Sequence, residues 1–398
     1  NEILGRSQKQ NIVNEINLPE KTVTSNIELV NVFNDYFTDV GPKLAEKIEY
    51  EHNCSLRDFI PQHEPVERFI FQPVNVATVY RLITKLTISK ATGIDEISAK
   101  VLKAAAPAIA EPLTRIFDMS IATDRFPMEW KAARKQNILS EHQFGFRQFH
   151  STTTTLLDCT NEWYINMDRG LYNTVVLLDL KKAFDTVNHE ILLRKFERYG
   201  FGNKALDLLS NYLTNRTQRC QLNGMLSDQR GITCGIPQGS ILGPLLFIIY
   251  INDLPNCLKH TTPRMFADDT SFTAVGKTLN EAEEIANKDL KNIKVWLSSD
   301  KLSLNIAKTE YILIGSRSKI NSMDVQPTVK IDTCPIKRVK SAKVLGVEID
   351  ENLNWEKHIE YIASKVSSGI GALKKLKEFV DRDTLVLVYN ALIQPHFD

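Results

Sequence analysis

Three acidic side chains, far apart in the sequence, carry its most informative chemistry. Asp268 and Asp269 are adjacent and lie at the bend of a predicted strand–turn–strand unit, while Asp179 follows an almost continuous apolar run. Carboxylate oxygens are the ligands that Mg²⁺ prefers, and two divalent cations about 3.5–4 Å apart can promote nucleotidyl transfer. We therefore expect the three carboxylates to meet at the tips of two neighbouring strands and to bind metal.

Each acidic position also has an ordinary structural explanation. An Asp-Asp pair is often an exposed turn, and Asp179 alone could be a plain strand end. Two like charges at a hairpin tip repel each other, so the position costs stability unless a cation neutralises it. Asp185 is a competing ligand, but it lies beyond the predicted strand, and Asp179 is preferred.

Four further residues suit a triphosphate site, although each has a simpler explanation. Phe184 could be a core aromatic residue, or a ring that presses on a sugar 2′-hydroxyl and admits deoxynucleotides. Gln238 and Gly239 lie in a turn before a predicted helix, where glycine permits close backbone approach and the helix start offers N–H groups to phosphate. This turn could equally be a plain strand-to-helix connection. Lys308 could donate a proton to departing pyrophosphate, or be a surface lysine.

Composition indicates an ordinary globular chain of two or three structural units. Of 398 residues, 43% are apolar and 24% are charged, and the net charge is +1, so any basic surface must be local. Residues 301–345 contain nine Lys and Arg against three Asp and Glu. This stretch is either a solvated face or a surface for nucleic acid.

The six cysteines and the apolar runs give no sign of export. The cysteines are scattered without a CxxC pair, which predicts neither a zinc site nor a disulfide framework and suits a reducing compartment. The first residues do not form a signal peptide, and the longest apolar run, 245–251, is too short to cross a bilayer. The missing initiator Met favours a fragment of a longer protein.

Periodicity predicts strands and helices around the acidic residues. The predicted order is strand, helix, hairpin, helix, strand–turn–strand, helix and strand, which favours an antiparallel sheet with helices packed on one side. The predicted elements are a strand at 172–180, a helix at 189–199, a hairpin at Asn223-Gly224, a helix from about Gly243, the acidic hairpin at 265–273, a helix at 279–297 and a strand at 311–314. Helices are also predicted around 27–40, on both sides of a turn at 92–95, and at 151–168, 356–373 and 383–394.

Six peptides, in order, resemble the reverse transcriptases of non-LTR (LINE-like, jockey-type) retrotransposons. They cover roughly residues 75–398, and residues 27–48 are similar to the segment just upstream of the polymerase. The six peptides are Lys90-Ala-Thr-Gly-Ile-Asp-Glu-Ile-Ser98, Leu139-Ser-Glu-His-Gln-Phe-Gly-Phe-Arg147, Leu178-Asp-Leu-Lys-Lys-Ala-Phe-Asp-Thr-Val-Asn-His189, Gly235-Ile-Pro-Gln-Gly-Ser-Ile-Leu-Gly-Pro244, Phe266-Ala-Asp-Asp-Thr270 and Val344-Leu-Gly-Val347.

The resemblance implies roles for the candidate residues. It implies that the three acids are the metal ligands, that Lys308 assists pyrophosphate departure, and that two magnesium ions, or manganese, serve as cofactors. The residues implied to bind nucleotide are Leu180, Phe184, Gln238 and Gly239, and those implied to bind primer are Leu345, Gly346 and Val347. The tyrosine usual before Ala-Asp-Asp is Phe266 here, which keeps the ring and loses the hydroxyl.

The resemblance also implies an α+β right-hand polymerase fold with an antiparallel, ferredoxin-like palm sheet, truncated fingers and an incomplete helical thumb. We expect an upstream helical segment at 1–70, fingers at 71–170, palm at 171–343, and primer-grip hairpin with partial thumb at 344–398. The fingers look internally deleted near 131–137, where only a short bridge stands in for a few dozen residues of the family. We also expect this chain to lack the family's N-terminal endonuclease.

The predicted function is RNA-directed DNA polymerisation, with an RNA template, a DNA primer and deoxynucleoside triphosphates as partners. The alternative is a catalytically defective remnant that binds nucleic acid through the basic 301–345 stretch. A third hypothesis, an RNA polymerase on RNA, is disfavoured by Phe184, because such enzymes accept the 2′-hydroxyl with a small or polar group. The sequence predicts no particular protein partner. The family resemblance suggests a location in the nucleus or the cytoplasm, and we expect no association with a membrane.

Overall fold

A computed structural model describes residues 13–48, 58–60, 73–86, 98–123, 139–147, 149–240, 242–323 and 327–397. The turn predicted at 92–95 and the shortened stretch at 131–137 lie outside these residues. The helices are α1 Asn26–Glu46, α2 Val76–Thr84, α3 Ala99–Thr123, α4 Thr152–Asp168, α5 His189–Arg198, α6 Asn203–Leu213, α7 Gly243–Tyr250, α8 Leu279–Ser299, α9 Arg317–Asn321, α10 Glu356–Leu376 and α11 Arg382–Leu392.

Most strands are short, and several form two-stranded ribbons outside the main sheet. The strands are β1 Ile16–Asn17, β2 Thr22–Val23, β3 Tyr172–Leu178, β4 Arg216–Gln218, β5 Gln221–Leu222, β6 Met225–Leu226, β7 Arg230–Ile232, β8 Thr262–Phe266, β9 Asp269–Gly276, β10 Glu310–Ile314, β11 Lys330–Ile331, β12 Cys334–Pro335, β13 Lys337–Val339, β14 Ser341–Val344 and β15 Val347–Asp350. The predicted tight turn at Asn223-Gly224 is confirmed, since both residues have positive φ between β5 and β6.

A five-stranded sheet organises the chain, in the order β13-β10-β3-β9-β8. The four strands β10, β3, β9 and β8 pair antiparallel, and helices connect β3 to β8 and β9 to β10. This is the βαββαβ connectivity of a ferredoxin-like unit. The prediction of a purely antiparallel sheet is wrong at one edge, because β13 returns beside β10 in the parallel direction.

Both faces of this sheet are covered. On one face, Val176 and Phe272 pack among α5, α6, α7 and α8, and on the other face Val175 and Ile312 pack against Trp163 of α4. The prediction that helices cover one side only is therefore wrong, since α4 and the β14–β15 hairpin cover the second side. The physical reason is visible in β3, whose side chains are apolar in both directions, as in strands buried on two faces.

A buried ion cluster connects the helices behind the sheet. Lys195 of α5 lies 2.7 Å from the Asp253 carboxylate and 2.6 Å from that of Asp300, and all three side chains are fully buried. Its Nζ also donates to the backbone oxygen of Tyr250 at 2.6 Å. These contacts fix α5 to the ends of α7 and α8, so the helical layer is locked by polar as well as apolar contacts. Helix α6, which was not predicted, completes this layer.

The upstream helix α1 packs on the body of the protein. Asn34 donates to the backbone oxygen of Asp228 at 2.8 Å, and Asp35 pairs with Arg230 at 2.6 Å. Gly41 lies so close to the loop after β3 that a Cβ there would overlap the backbone oxygen of Asp185. The predicted helix at 27–40 is thus confirmed, and it contacts the elements around the candidate site.

Cysteine and membrane predictions can be compared with the described residues. Among the described cysteines, Cys159, Cys220, Cys234, Cys257 and Cys334 are free thiols. None of the helices in the described part of the chain combines the length and apolar character that crossing a membrane would need.

The helices α2 and α3 pack on each other through a separate small apolar cluster.

Candidate active site

The sheet register brings Asp179 beside the acidic pair. In the β3–β9 ladder the last pair is Leu178 with Thr270, and Asp179 and Asp269 are the next residues at this end of the sheet. Strand β3 ends one residue before Asp179, which leaves its carboxylate at the strand tip.

Asp268 lies in the two-residue turn that joins β8 to β9. Phe266 pairs with Asp269 across this turn, and Ala267, its first residue, has a left-handed φ of 56°. A two-residue hairpin needs positive φ at its first or both central positions, and a residue with a Cβ is strained there. The acidic pair therefore occupies a tight and strained hairpin tip, as the strand–turn–strand pattern predicts.

The three carboxylates influence each other electrostatically. Burial, together with the negative charges of Asp268 and Asp179, raises the pKa of Asp269 above its ordinary value. Asp268 and Asp269 are nonetheless exposed as whole residues, and Asp179 is half-buried. Solvent thus screens only part of the repulsion between these carboxylates, and a bound cation would neutralise the remaining charge.

The carboxylates do not close around a single point. Among the residues that the structure describes, no group of three His, Cys, Asp or Glu side chains converges as a metal cage. Magnesium rarely occupies an all-protein cage, because it retains waters and binds through one or two carboxylates plus phosphate oxygens. An open set of hard oxygen donors at Asp179, Asp268 and Asp269 therefore suits Mg²⁺ when a triphosphate supplies further ligands.

Asp179 is held by the segment that precedes β10. Its N–H donates to the Thr309 hydroxyl at 3.3 Å, and its carbonyl accepts from the Asn305 N–H at 2.7 Å. Lys308 lies in the same turn, since its N–H donates to the Asn305 carbonyl, and it is exposed. Leu180, which follows Asp179 in the chain, forms an isolated β-bridge with the same segment. The fold thus places the predicted lysine next to the backbone of Asp179.

Phe184 lies in the loop after β3 and is half-buried. Its ring stacks on Phe247 of α7 with the centroids 4.5 Å apart and an interplanar angle of 25°. Phe247 is fully buried. One face of the Phe184 ring therefore packs in the core, as the simpler explanation predicts. The rest of the ring is partly exposed to solvent.

The turn before α7 is anchored to the same loop. Gln238 is exposed and its Nε2 donates to the Asp185 carboxylate at 2.8 Å. Gly239 has a φ of +81°, and a Cβ there would have no neighbour within 4 Å. Backbone conformation, rather than lack of space, thus requires glycine at this position. Asp185 is engaged with Gln238, in keeping with the preference for Asp179 as metal ligand.

A small, open cleft connects the acidic hairpin to the β14–β15 hairpin. Its walls include Asp269 and Phe266 on one side and Lys343 and Leu345 on the other. Leu345 and Gly346 form the two-residue turn of that hairpin, with φ values of 47° and 96°, and Val347 follows at the start of β15. The predicted primer-binding residues therefore lie on the same side of the sheet as α4, across the cleft from Asp269.

Some contacts at the site escaped prediction from sequence. The anchoring of Asp179 by Thr309 and Asn305 joins segments about 130 residues apart and leaves no local pattern. Residues 142–144, which belong to a peptide that only the family resemblance singled out, form a bridge to β8 at Met265. The family peptide was the one signal that could have drawn attention to this segment.

Comparison with known proteins shows the family to which the chain belongs. The sequence pattern described as reverse transcriptase (RNA-dependent DNA polymerase) matches residues 80–349. The chain is 26% identical, over 73% of its length and 37% of the relative's, to the probable RNA-directed DNA polymerase from transposon BS of Drosophila melanogaster. It is 24% identical to the RNA-directed DNA polymerase from mobile element jockey of the same organism, over 81% of this chain and 40% of that one.

A solved structure of apo telomerase from Candida Tropicalis truncated from the C-terminal domain overlaps 67% of this chain and 49% of its own, with 10% identity and a TM-score of 0.37. That overlap is too slight to inform the fold. The chain spans about two fifths of the length of the curated relatives it matches. The relatives and the matched pattern confirm the predicted resemblance to non-LTR retrotransposon enzymes. This chain belongs to the reverse transcriptase (RNA-dependent DNA polymerase) family.

Proposed function

We propose that this chain is the catalytic part of an RNA-directed DNA polymerase, which copies an RNA template by adding deoxynucleotides to the 3′-hydroxyl of a DNA primer. The observation that supports the proposal is the register of β3 and β9: its last pair is Leu178 with Thr270, so Asp179 and Asp269 follow at the same end of the sheet, with Asp268 in the adjoining turn. Membership of the family supports the same reaction.

The three carboxylates would hold two Mg²⁺ ions, and Mn²⁺, which also accepts oxygen ligands, could replace them. The direction of the Asp269 pKa fits this, because burial raises it first and the negative charges of Asp268 and Asp179 raise it further. When bound, the ions would lower the pKa of the primer hydroxyl and neutralise charge on the leaving pyrophosphate. The tips of β3 and β9 would keep the carboxylates directed at the reacting phosphate.

The nucleotide site would lie between the loop after β3 and the turn before α7. Phe184, supported from behind by Phe247, would exclude a sugar 2′-hydroxyl, and Leu180 would lie beneath the same nucleotide. Gln238, fixed by Asp185, and Gly239 would contact the incoming base pair. Lys308, on the turn that anchors Asp179, would donate a proton to pyrophosphate as it leaves.

The primer end would lie in the cleft beside Asp269. Leu345, Gly346 and Val347 form the tip of the hairpin on its far wall, and this hairpin would hold the primer strand with its 3′-hydroxyl toward the carboxylates. Lys343 lines the same cleft and would contact the primer phosphates. Template RNA, primer DNA and deoxynucleoside triphosphates are thus the proposed partners.

On this proposal the five-stranded sheet is the palm of a right-hand polymerase. The helix pair α2–α3 and the segment to residue 170 would belong to the fingers, and α10 and α11 to the thumb. Residues 1–70 would form the upstream segment, with α1 packed on the palm. The expected palm–thumb boundary at 343/344 falls within β14, so the primer-grip hairpin would begin at the end of the palm.

Primer extension by the purified chain tests the proposal. With RNA template, DNA primer, Mg²⁺ and deoxynucleotides, we expect wild type to extend the primer and Asp268→Asn to lose activity by at least about 100-fold. Asp207→Asn is the matched control, because Asp207 is an exposed aspartate on α6 away from the sheet tip. Equal extension by wild type and Asp268→Asn would contradict the proposal.

The same assay separates the enzyme from a nucleic-acid-binding remnant. A remnant would bind template–primer with a strong salt dependence yet add no nucleotide. The basic 301–345 stretch gives this alternative limited support, because Lys337 pairs with Glu310 at 2.8 Å and Arg338 with Glu351 at 3.0 Å. Binding without extension by the wild-type chain would favour the remnant.

A further inference from the structure

A segment distant in sequence runs alongside the strand that leads into the acidic turn. The N–H of Phe144 donates to the Met265 carbonyl at 2.8 Å, and the N–H of Met265 donates to the His142 carbonyl at 2.9 Å. Between them, Gln143 forms a parallel bridge with Met265 and is fully buried. This segment thus acts as an additional backbone partner of β8 at its catalytic end.

The Gln143 side chain contacts the turn itself. Its Oε1 accepts from the N–H of Gly145 at 2.8 Å and from the N–H of Ala267 at 3.1 Å. Ala267 precedes Asp268 and has the left-handed φ of 56°. Such a conformation costs a residue with a Cβ about 1–2 kcal/mol, so an external hydrogen bond to this N–H stabilises the strained turn.

Two features indicate that this contact serves geometry rather than stability alone. The Gln143 Nε2 has no hydrogen-bond partner among the residues that the structure describes, and an unpaired buried amide donor costs about 1–3 kcal/mol. A Cβ at Gly145 would lie 2.6 Å from the Ala267 nitrogen. The backbone of Gly145 therefore lies directly against the turn and limits its movement away from β3.

We propose that Gln143 is a positioning residue that holds the Ala267–Asp268 turn, so that Asp268 and Asp269 face Asp179. It acts through the proposed metal ligands and touches neither metal nor substrate, so the inference rests on the proposed function. Residues that orient metal ligands through hydrogen bonds typically change metal affinity or activity 10- to 100-fold when they are replaced.

Replacing Gln143 by methionine keeps the length of the side chain and removes the acceptor. We expect Gln143→Met to bind Mn²⁺ about tenfold more weakly than wild type in a titration followed by electron paramagnetic resonance. In primer extension, kcat should fall while KM for the deoxynucleotide changes less, because substrate contacts are intact. Wild-type Mn²⁺ affinity in Gln143→Met would overturn the inference.

Thr273→Val is the matched control. The Thr273 hydroxyl accepts the buried Trp163 indole N–H at 3.0 Å, so this variant also removes one buried hydrogen bond from the same hairpin, far from the turn. It should lower the melting temperature by a similar amount and leave Mn²⁺ affinity unchanged. If Thr273→Val weakens Mn²⁺ binding as much as Gln143→Met does, the effect is general destabilisation and the inference fails.

A second substitution tests the mechanism of positioning. Glycine adopts positive φ without a Cβ penalty, so Ala267→Gly should relieve the strain that Gln143 counteracts. We expect the double variant Gln143→Met/Ala267→Gly to recover most of the Mn²⁺ affinity that Gln143→Met alone loses. Absence of any recovery would mean that Gln143 does not act through the conformation of Ala267.

Amide hydrogen exchange gives a result that needs neither metal nor catalysis. The Ala267 N–H should exchange slowly in wild type and in Thr273→Val, and faster in Gln143→Met. Fast exchange of Ala267 in wild type would overturn the inference even if Gln143→Met failed to fold. A wild-type chain that binds no Mn²⁺ and extends no primer would instead refute the proposed function, while slow Ala267 exchange would still support positioning of the turn.

Discussion

At the scale of single residues, Phe184 combines a structural and a proposed selective role. Its stacking on Phe247 fixes the ring, and the half-exposed remainder would meet the sugar of a bound nucleotide. We expect Phe184→Val to raise the ratio of kcat/KM for ribonucleotides over that for deoxynucleotides by about 10- to 100-fold, the range typical of a changed steric fit. Steady-state primer extension with each class of nucleotide measures this ratio.

Phe379→Val provides the control for this substitution, since Phe379 is 70% exposed in the segment between α10 and α11. It should leave sugar preference unchanged. An unaltered ratio in an active Phe184→Val enzyme would show that the ring does not exclude the 2′-hydroxyl.

The strand ends that the three acids occupy could be predicted from sequence, because their neighbours are strand residues. The apolar run before Asp179 and the strand–turn–strand pattern around Asp268 fix which ends of two strands they occupy. Gln143 could not be assigned a role in this way, because its contact with Ala267 joins residues more than a hundred positions apart. Such contacts depend on tertiary packing, which periodicity does not encode.

At the scale of elements, the buried cluster of Lys195, Asp253 and Asp300 joins three helices. Burial raises the pKa of Asp300 to about 8, the Asp253 carboxylate adds to this effect, and Lys195 opposes it. Burial alone would lower the pKa of Lys195, but the two carboxylates raise it above its ordinary value. One ammonium thus faces two carboxyl groups, and the folded protein retains a proton on the cluster at neutral pH.

This cluster predicts a pH dependence of stability. Because the pKa of Asp300 in the folded protein is above the unfolded value, its contribution is complete below about pH 4 and is lost as pH rises through about 8. The Asp300→Asn side chain is neutral at every pH, so we expect this variant to lose less stability than wild type as pH rises. The fall in the wild-type free energy of unfolding has a slope of at most about 1.4 kcal/mol per pH unit. Melting temperatures of both proteins across this range measure the difference.

The exposed Asp207 again supplies the control, since Asp207→Asn should follow the wild-type pH profile. Parallel profiles for Asp300→Asn and wild type would contradict a protonated Asp300.

The bounds of elements with strong periodicity were predicted to within a few residues, whereas which elements pack against them was not predicted. Helices α4, α5 and α8 match their predictions closely. The parallel return of β13 was missed because its three residues carry no pattern that specifies direction or partner. The nearly continuous apolar pattern of β3 does predict a strand covered on both faces, and α4 covers the second face.

At the scale of the whole molecule, the upstream helix belongs to the same body as the site. Gly41 of α1 faces the Asp185 carbonyl and the Cys234 sulfur, with no room for a Cβ. We expect Gly41→Ala to lower the free energy of unfolding by about 1–3 kcal/mol through overpacking. Urea denaturation measures this loss, and a drop in deoxynucleotide affinity should accompany it, because Asp185 holds Gln238.

Gly371 of α10 gives a control of opposite sign. A Cβ at Gly371 would have no neighbour within 4 Å, so Gly371→Ala should stabilise the protein by about 0.5–1 kcal/mol, as usual within a helix. Stabilisation by both substitutions would show that α1 does not pack against the loop at Asp185.

The central claim is that Asp179, Asp268 and Asp269 together hold two divalent ions. The most direct measurement is anomalous diffraction from crystals of the protein with RNA template, chain-terminated primer, deoxynucleoside triphosphate and Mn²⁺. We predict two anomalous peaks about 3.5–4 Å apart, with oxygens of all three carboxylates within ligand distance. Peaks that lie away from Asp179, or a complete complex without Mn²⁺ at the hairpin tip, would contradict the account.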